Sequence, residues 1–431
     1  MNMNSKLNRR DAIKATAALT AGLYLGTQTK SNFALSANDK INIACIGVGG
    51  RGFANVNGCS SENLVAFCDV DENRASQAYE KFPGVRRFTD FRKMFDEIEK
   101  EIDAVVVSTP DHTHFHPSMW ALLRDKHLYC EKPLAHNVWE TRTITETARE
   151  RNLATQLGAQ RHAKLNMRRV VEEIQAGAIG DVLEVYSWID SSRGMPDPIT
   201  STKQSPNTLD WNLWLGPTTT ERGYTDQLCP YKWRFWWDYG TGETGNFGCH
   251  ILDIPFWALD LKYPTQVEAS GPEVDSERTP KSMTTKFHFP ANEKRPALTL
   301  HWSQGKPEFA EKKKYDVKGL NTIFVGTKGV LACGFDERKL FPADQFENYE
   351  KPDKTIPDSP GFYHEWFNAI RGGEPASCNF DYSGPLSETV MLGNVAYRSG
   401  GFAWDAKSLK TIGNDQAQKL IREPFRKGWE I

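Results

Sequence analysis

A short apolar run that leads directly into a glycine-rich turn constrains this chain more than any other feature. Residues 41–46 read Ile-Asn-Ile-Ala-Cys-Ile, and Gly47-Val48-Gly49-Gly50-Arg51-Gly52 follows, before residues that are typical of a helix. A strand, a GxGxxG turn and a helix in this order bind the phosphates of a dinucleotide. Gly47 permits the tight turn, Gly49 lets the backbone approach a pyrophosphate, and Gly52 lets the helix pack against the strand. Residues 47–52, Gly50 included, are therefore our predicted cofactor loop.

An acidic residue at the end of the second apolar run supports this prediction. Asp69 follows the run Leu64–Cys68 and lies 22 residues after Gly47 (69 − 47), close to the roughly 20 expected for the acid that binds the ribose. A carboxylate here accepts hydrogen bonds from ribose hydroxyls and repels a 2′-phosphate, so NAD is favoured over NADP. Arg51 and Arg74 leave NADP open as an alternative.

The apolar pattern divides the chain into two domains. At 431 residues the chain is too long for one ordinary core. Up to about residue 157, short apolar runs such as Ala104–Val107 and Leu128–Cys130 alternate with helix-length segments, which predicts a parallel sheet with crossover helices at 38–160. A β-rich domain should follow at 161–431, with its sheet covered by helices at 363–371 and 386–398. Its candidate strands are Val182–Ile189, Thr265–Ser270, Thr284–Phe289, Ala297–Trp302 and Asn321–Phe324, and the aromatic stretch from Ser191 to Gly245 should be an ordered loop.

The first 37 residues have the composition of an export signal. The pair Arg9-Arg10 is followed by small and apolar residues from Ala15 to Gly26, and the pair resembles a twin-arginine signal. The run is shorter than the roughly 20 apolar residues that span a bilayer. We predict that residues 1–37 are removed on export and that the mature protein is periplasmic and not bound to the membrane. An N-terminal membrane-anchoring helix is the alternative.

Charge and cysteine content narrow the choice of partners. The formal net charge is −2, with 25% charged and 39% hydrophobic residues, so the chain has no general attraction for nucleic acid or anionic lipid. Of the eight cysteines, Cys45, Cys68 and Cys130 lie inside apolar runs, where buried free thiols are common. We expect no disulfide framework.

Two further motifs carry a family resemblance. Ser108-Thr109-Pro110-Asp111-His112-Thr113-His114 and Glu131-Lys132-Pro133-Leu134 resemble the Gfo/Idh/MocA oxidoreductases. The resemblance implies an α/β Rossmann domain followed by an α+β domain with a large, mostly antiparallel open sheet, whose free face often packs against a second subunit in a homo-oligomer. It places Lys132 beside the nicotinamide. It also assigns cofactor contacts to Ser108, Thr109, Pro110, His114 and Glu131.

Oxidation of a secondary alcohol requires a proton acceptor and a group that steadies the oxygen. Lys132 is our candidate for the stabilising cation. His250 is our candidate for the acceptor, since an imidazole with a pKa near 6.5 suits proton transfer near neutrality. Relatives commonly carry an aspartate four residues before this histidine, whereas this chain has Asn246. An amide cannot take a proton, so His250 works alone or a carboxylate such as Glu243 or Asp253 assists it.

Three alternating histidines, at positions 112, 114 and 116, could suggest a metal site, and we reject that interpretation. The motif is explained by the nucleotide-binding half, and no companion carboxylate has the spacing of a zinc site. His114 should either contact the cofactor or fix its loop.

The stretch Tyr231–Tyr239 is the best indication of the substrate. Indole rings stack on the apolar C–H faces of sugars, so we predict that Trp236 stacks on a sugar while Arg234, Asp238 and Asn246 bind its hydroxyls. The primary hypothesis is an NAD-dependent sugar dehydrogenase, including oxidation at C3 of a glucoside. The alternatives are a glycosidase that uses NAD for transient oxidation and elimination, and a non-catalytic sugar-binding relative. An exported enzyme would lose a dissociating cofactor, so tight NAD binding is expected.

Overall fold

Two β-sheets organise the chain, and each has its own buried hydrophobic core. The computed structural model describes residues 39–191, 193–309 and 315–431. The predicted signal at 1–37 lies outside the described residues. The α/β plus α+β fold predicted above is confirmed.

The first sheet is entirely parallel and has the strand order β3-β2-β1-β4-β5-β6. All four residues of Ala104–Val107 are buried, because helices cover both faces of a sheet of this kind. Its strands are β1 Asn42–Ile46, β2 Asn63–Cys68, β3 Arg86–Phe88, β4 Ala104–Val107, β5 His127–Cys130 and β6 Thr155–Leu157. Its helices are α1 Arg51–Gly58, α2 Glu72–Lys81, α3 Phe91–Ile98, α4 Phe115–Leu122 and α5 Val138–Glu150.

Side-chain caps fix where several of these helices begin. The Asp71 carboxylate accepts from two backbone N–H groups at the start of α2, and Asp90 and Asn137 do the same for α3 and α5 with one each. Such caps satisfy donors that have no partner within the helix. They also fix the points at which the loops leave the strand ends.

The second sheet is mostly antiparallel and has the order β13-β12-β11-β7-β10-β9-β8-β14-β15. Among the described strands of this second sheet, only β7 and β10 pair in parallel. The strands are β7 Val182–Ile189, β8 Gln266–Ser270, β9 Thr284–Phe289, β10 Leu298–Gln304, β11 Thr322–Gly326, β12 Val330–Cys333, β13 Arg338–Phe341, β14 Phe402–Asp405 and β15 Lys410–Ile412. The helices are α6 Leu165–Gln175, α7 Trp211–Leu215, α8 Gly242–Ile251, α9 Asp253–Ala258, α10 Phe362–Ile370, α11 Phe380–Ser399 and α12 Asp415–Ile421.

The sequence suggested that both late helices, 363–371 and 386–398, cover the second sheet. Only one of them does. Helix α11 packs on β8 and β9 and also against α5 of the first domain. Helix α10 instead joins the first core, where Phe362, Trp366 and Phe367 are buried. The chain therefore returns to the first domain after building the second.

The aromatic stretch between the domains is ordered, as predicted, but it is not only loop. Trp211–Leu215 is a short helix, and α8 begins inside the stretch, at Gly242. Trp214, Trp233, Trp236 and Tyr239 form part of a separate buried cluster. This cluster lies next to the carboxyl ends of the first sheet, since Tyr239 and Trp214 both contact His112.

All eight cysteines are buried and free. Within the part of the chain that the structure describes, no helix combines the length and the apolar character that crossing a membrane requires.

Candidate active site

A cavity of about 710 Å³ lies at the carboxyl ends of the first sheet, where the aromatic cluster and helix α8 approach it. All six strands of the first sheet supply residues to its wall, Thr89 following β3, because parallel strands bring their carboxyl ends to one edge. The residues that follow β1, β2, β4, β5 and β6 and line the cavity include Gly47, Asp69, Ser108, Glu131 and Gln160.

The glycine turn has the geometry that its sequence requires. Gly47 has a φ of +78°, and a Cβ at Gly52 would come within 1.9 Å of the Gly47 carbonyl oxygen. Gly50 caps helix α1 without a side-chain hydrogen bond. Gly47, Gly49 and Gly50 line the cavity, so the helix N-terminus and its free N–H groups face it, as phosphate binding requires.

Asp69 at the end of β2 holds this turn in place. Its Oδ2 accepts from the backbone N–H of Val48 at 2.8 Å and of Gly49 at 3.2 Å, and its Oδ1 accepts from Asp71 at 3.0 Å. Burial raises the pKa of Asp69, and these three N–H groups oppose the increase. Asp69 therefore lies in the cavity wall, as a ribose acceptor should, and also fixes the loop.

The two arginines of the turn differ in their surroundings. Arg51 Nε donates to Glu131 Oε1 at 3.0 Å and its Nη2 donates to Asn55 Oδ1 at 2.9 Å. The negative charge of Glu131 raises the pKa of Arg51 against the opposing effect of burial. Arg74 is exposed and lines the cavity beside Gly50.

The loop after β4 places Ser108, Thr109 and Pro110 on the cavity wall. Ser108 Oγ accepts from the Asn55 amide at 2.8 Å. Asp111 also lines the cavity, with its Oδ2 accepting from Thr241 Oγ1 at 2.6 Å. Sequence reasoning quoted Asp111 within the motif and gave it no role, although its position at a strand end was the available signal.

The three alternating histidines are all buried and contact different partners. His112 lies between the carbonyls of Tyr239 and Trp214, and His116 Nε2 lies 2.6 Å from the Trp429 carbonyl. His114 lies between the carbonyls of Pro133 and Thr109 and does not line the cavity. Of the two roles expected for His114, the structure favours loop fixation over cofactor contact, because both ring nitrogens are already occupied.

Lys132, after β5, reaches across to the second domain. Its Nζ donates to the backbone carbonyl of Asn246 at 2.8 Å and to Asn246 Oδ1 at 3.1 Å. Burial lowers the pKa of Lys132, while the charges of Asp111 and Glu131 oppose the decrease. The ammonium thus stands in the cavity with only neutral oxygens as direct acceptors.

The carboxylate nearest to Asn246 does not reach the histidine. Asn246 Nδ2 donates to Glu243 Oε2 at 3.1 Å, and Arg193 donates to both oxygens of Glu243. The guanidinium and other donors hold the pKa of Glu243 below its usual value against the effect of burial. Asp253 is also engaged elsewhere, since it accepts from Tyr382 and lies 2.9 Å from His162 Nδ1.

His250 lines the cavity together with Lys132. Its Nδ1 is buried with no hydrogen-bond partner among the described residues, which leaves Nε2 available to a ligand. Burial, and then the positive charges of Lys132, Arg161 and Arg51, hold the pKa of His250 well below 6.5. The imidazole is therefore neutral at physiological pH, the form that accepts a proton.

Only some of the predicted substrate residues line the cavity. Arg234 and Asn246 line the cavity. Trp236 is 1% exposed, packs in the aromatic cluster and donates from Nε1 to the Gln227 carbonyl at 3.1 Å. It belongs to the core and does not stack on a substrate. Asp238 is likewise absent from the cavity wall, whereas Tyr231 and Trp233 form part of it.

Sequence reasoning also missed three cavity residues outside the motifs. Gln160 and Arg161 follow β6, a three-residue strand that the apolar pattern did not reveal. Trp429 arrives from the far end of the sequence, with the guanidinium of Arg92 over its ring at 4.7 Å. Only recognition of β6 as a strand could have found the first two, and no local signal could have found the third.

Fold and site together define a two-domain protein with a Rossmann-type domain and a second, mostly antiparallel sheet. Residues 41–159 match the model of the GFO_IDH_MocA oxidoreductase family, NAD-binding Rossmann fold, and residues 185–289 match that of the family's C-terminal alpha/beta domain. The chain belongs to the Gfo/Idh/MocA oxidoreductase family, as the motifs had suggested.

Individual relatives match parts of the chain. The inositol 2-dehydrogenase of Rubrobacter xylanophilus is 31% identical over 163 residues, 35% of this chain and 44% of that protein. A glycosyl hydrolase family 109 protein of Shewanella sp. is 28% identical over 208 residues, 41% of this chain and 44% of that protein. The chain thus spans less than half the length of these curated relatives. The WlbA dehydrogenase of Bordetella pertussis, crystallised with NADH and UDP-GlcNAcA, shares the fold, with a TM-score of 0.58, 16% identity and coverage of 83% of this chain and 96% of that one.

Proposed function

We propose that the protein is an NAD-dependent dehydrogenase that acts on a secondary hydroxyl of a sugar or sugar-like polyol. The observation that carries this proposal is that Lys132 and His250 line one cavity with the glycine turn. A cation and a neutral imidazole are the two groups that the chemistry requires beside a nicotinamide. The similarity to an inositol 2-dehydrogenase supports the substrate class.

The residues present fit a dinucleotide. The glycine turn leaves room where any larger residue would collide with backbone, Asp69 offers carboxylate oxygens to the ribose, and the cavity is large enough for a bound cofactor. When bound, NAD supplies a hydride acceptor. NAD is favoured because Asp69 would repel a 2′-phosphate, while the exposed Arg74 keeps NADP as the alternative.

The protein's own groups move the proton and steady the oxygen. His250, neutral because its pKa is low, accepts the hydroxyl proton at Nε2. The Lys132 ammonium stabilises the negative charge that develops on the same oxygen. Asn246 orients Lys132 through two hydrogen bonds and takes no proton, so the imidazole acts without a carboxylate bonded to it among the described residues.

Substitution of the two groups tests this assignment. Lys132→Met should lower kcat about 100- to 1,000-fold, as loss of an oxyanion-stabilising group does, and leave NAD bound. His250→Asn should cost about 100-fold or more. The measurements are the absorbance of reduced nicotinamide after sugar addition and the amount of cofactor in the folded protein. Lys339→Met, at an exposed lysine paired with Asp316, is the matched control. Full activity in Lys132→Met would exclude the proposed role.

A second candidate function is an NAD-dependent glycosidase that works by transient oxidation and elimination. The similarity to a glycosyl hydrolase family 109 protein favours it. A dehydrogenase given substrate without a second acceptor accumulates reduced cofactor, whereas the glycosidase releases the aglycone with no net reduction. Neither signal, in a protein that still binds the sugar, would identify a non-catalytic sugar-binding relative.

We propose four further properties on sequence grounds. Residues 1–37 export the protein to the periplasm by the twin-arginine route, and the cofactor is held tightly because none could be replaced there. The protein forms a homo-oligomer, and C3 of a glucoside is the first position to test. Mass spectrometry of the mature N-terminus and of the native protein would measure cleavage, cofactor occupancy and subunit number together.

A further inference from the structure

Two guanidinium groups line the cavity without a carboxylate bonded to either among the described residues. Arg234 Nη1 donates to the Tyr231 carbonyl at 3.1 Å, and the group lies over the rings of Tyr231 and Trp233 at 4.4 and 4.2 Å. Arg161 lies over the Phe335 ring at 4.1 Å. Both arginines form part of the cavity wall, so their charges face whatever occupies it.

The same part of the cavity has an excess of positive charge. Lys132, Arg161 and Arg234 contribute three cations and Asp111 contributes one carboxylate, while the other carboxylate that acts on Lys132, Glu131, is paired with Arg51. Asn246 gives Lys132 only neutral oxygens, and Glu243 is already paired with Arg193. An aspartate at position 246, as in many relatives by the resemblance noted above, would have cancelled one of these charges.

Burial makes the excess positive charge in the cavity unfavourable in free energy when no ligand is bound. Burial lowers the pKa of Arg234, against the opposing charge of Asp111. A partly desolvated cation is stabilised by a counter-charge at hydrogen-bond distance. Since the described residues supply none to Arg234 or Arg161, a ligand has to bring it.

The phosphates of the dinucleotide are not the expected counter-charge. Their predicted place is the glycine turn, where Gly50 caps helix α1 and Arg74 lies alongside. Arg161 is instead close enough to His250 for its charge to lower the pKa of that imidazole, and Arg234 acts on Lys132 in the same way. The two arginines therefore line the same cavity as the proposed reacting groups.

We propose that the substrate is an acidic sugar, whose carboxylate or phosphate group pairs with Arg234 and Arg161. This inference rests on the proposed function and narrows its substrate class. A guanidinium presents paired N–H donors that match both kinds of anion. Aromatic rings behind the guanidinium groups keep them aimed into the cavity.

Calorimetric titration of the NAD-loaded full protein with matched sugars tests the proposal. The pairs are methyl glucuronide with methyl glucoside, and glucose 6-phosphate with glucose, so carboxylate and phosphate are distinguished. At least one acidic member should bind about tenfold or more tightly than its neutral partner, the effect of one charge-assisted hydrogen bond. Arg234→Gln and Arg161→Gln should each reduce this advantage, because each weakens binding of the acidic member more than binding of its neutral partner. Arg149→Gln, at an exposed arginine paired with Asp381, is the control and should retain it.

The proposal would be overturned if the acidic and the neutral sugar of each pair bound equally, or if no acidic sugar bound. It would also be overturned if the two arginine variants weakened binding of both sugars of a pair equally. The titration needs no turnover, so it separates the two proposals. A preference for the acid without nicotinamide reduction would retain the acidic substrate and reject the dehydrogenase. Oxidation of neutral sugars with no preference for acids would retain the dehydrogenase and reject the acidic substrate.

Discussion

His114 connects two strand-end loops through both of its ring nitrogens. Nδ1 lies 2.7 Å from the Pro133 carbonyl and Nε2 lies 2.8 Å from the Thr109 carbonyl. Two carbonyl acceptors require two donors, which only the protonated ring offers. Burial lowers the pKa of His114, but Cys130, Asp111 and the Pro133 carbonyl outweigh that effect and raise it to about 9. A buried imidazolium therefore positions the backbone next to Lys132.

This charge makes the stability of the fold depend on pH in the alkaline range. Because the folded pKa exceeds the unfolded value near 6.5, the contribution of His114 is complete below pH 6.5 and is lost as the pH rises through 9. We expect the wild type to lose up to about 3 kcal/mol more than His114→Gln between these two pH values. Urea unfolding at both pH values measures the difference. Equal losses in the two proteins would contradict it.

The low pKa of His250 sets the acid limb of the proposed reaction. A histidine with an ordinary pKa would lose its base form as the pH falls through about 6.5, whereas His250 should remain neutral well below that. On the alkaline side, Lys132 should lose its proton before the usual 10.5 because burial lowers its pKa. We expect kcat/KM to stay level from neutrality through pH 6.5 and to fall at high pH. An acid limb centred near 6.5 would point to a different proton acceptor.

The sequence predicted the kinds of chemical group in this cavity better than it predicted which individual side chains line it. Lys132 and the glycines were found because their motifs tie residue type to a strand end, and His250, on helix α8, was found because its segment resembles the family stretch that supplies the proton acceptor. Arg234 and Trp236 are two positions apart in one short segment, yet one lines the cavity and the other is core. In an irregular segment, no periodicity says which side chain faces which way. Tertiary packing decides this, and the sequence does not display it.

At the scale of elements, the loop between β1 and α1 depends on a carboxylate from β2. Asp69 accepts two hydrogen bonds from the turn and faces the proposed ribose site. Asp69→Ala should weaken NAD binding about 10- to 100-fold, since two charge-assisted hydrogen bonds and a ribose acceptor are lost. It should weaken NADP binding less, because a charge that repels the 2′-phosphate is also removed.

Fluorescence titration of the variant with both cofactors checks this prediction. Asp69→Asn, which keeps the size of the side chain and one acceptor oxygen, is the control for shape. Equal weakening of NAD and NADP would show that Asp69 acts through the loop alone.

The strands that were predicted agree with the structure to within two residues at each end, whereas β3, β6 and β12 to β15 were not predicted. The bounds of β4, β7 and β9 were predicted without error because each is an apolar or alternating run buried by neighbours on both sides. Strand β3 has three residues, two of them arginine, and lies at an edge of its sheet. Such strands form because a neighbour offers backbone partners. Strand β6 is also a three-residue edge strand. It was not predicted for the same reason, and the cavity residues Gln160 and Arg161 that follow it were missed.

At the scale of the whole molecule, one buried ion pair joins the two domains. Arg142 on α5 donates from Nε and Nη2 to the two oxygens of Glu388 on α11, each at 2.9 Å. Burial raises the pKa of Glu388 to about 7, although Arg142 opposes the increase. Arg142→Met would leave that carboxyl buried without its cation, which typically costs about 3–5 kcal/mol.

The penalty should be greater at pH 8 than at pH 6. Without Arg142 the folded pKa of Glu388 rises further, so the variant continues to lose stability above pH 7, where the wild-type carboxylate is already ionised. Adding Glu388→Leu should recover part of the loss, since the pair is then replaced and not broken. Urea unfolding of the single and double variants measures both effects. A double variant less stable than Arg142→Met would contradict this account.

Trp429 carries a further consequence for how the molecule comes to be made. Residues 41–159 contain the strands and turn of the dinucleotide domain, yet part of the cavity wall comes from an indole encoded some 270 positions later (429 − 159). Until Trp429 has been translated and has packed in place, the cavity lacks this part of its wall. A nascent protein halted before residue 429 should therefore hold a dinucleotide less tightly than the full chain does.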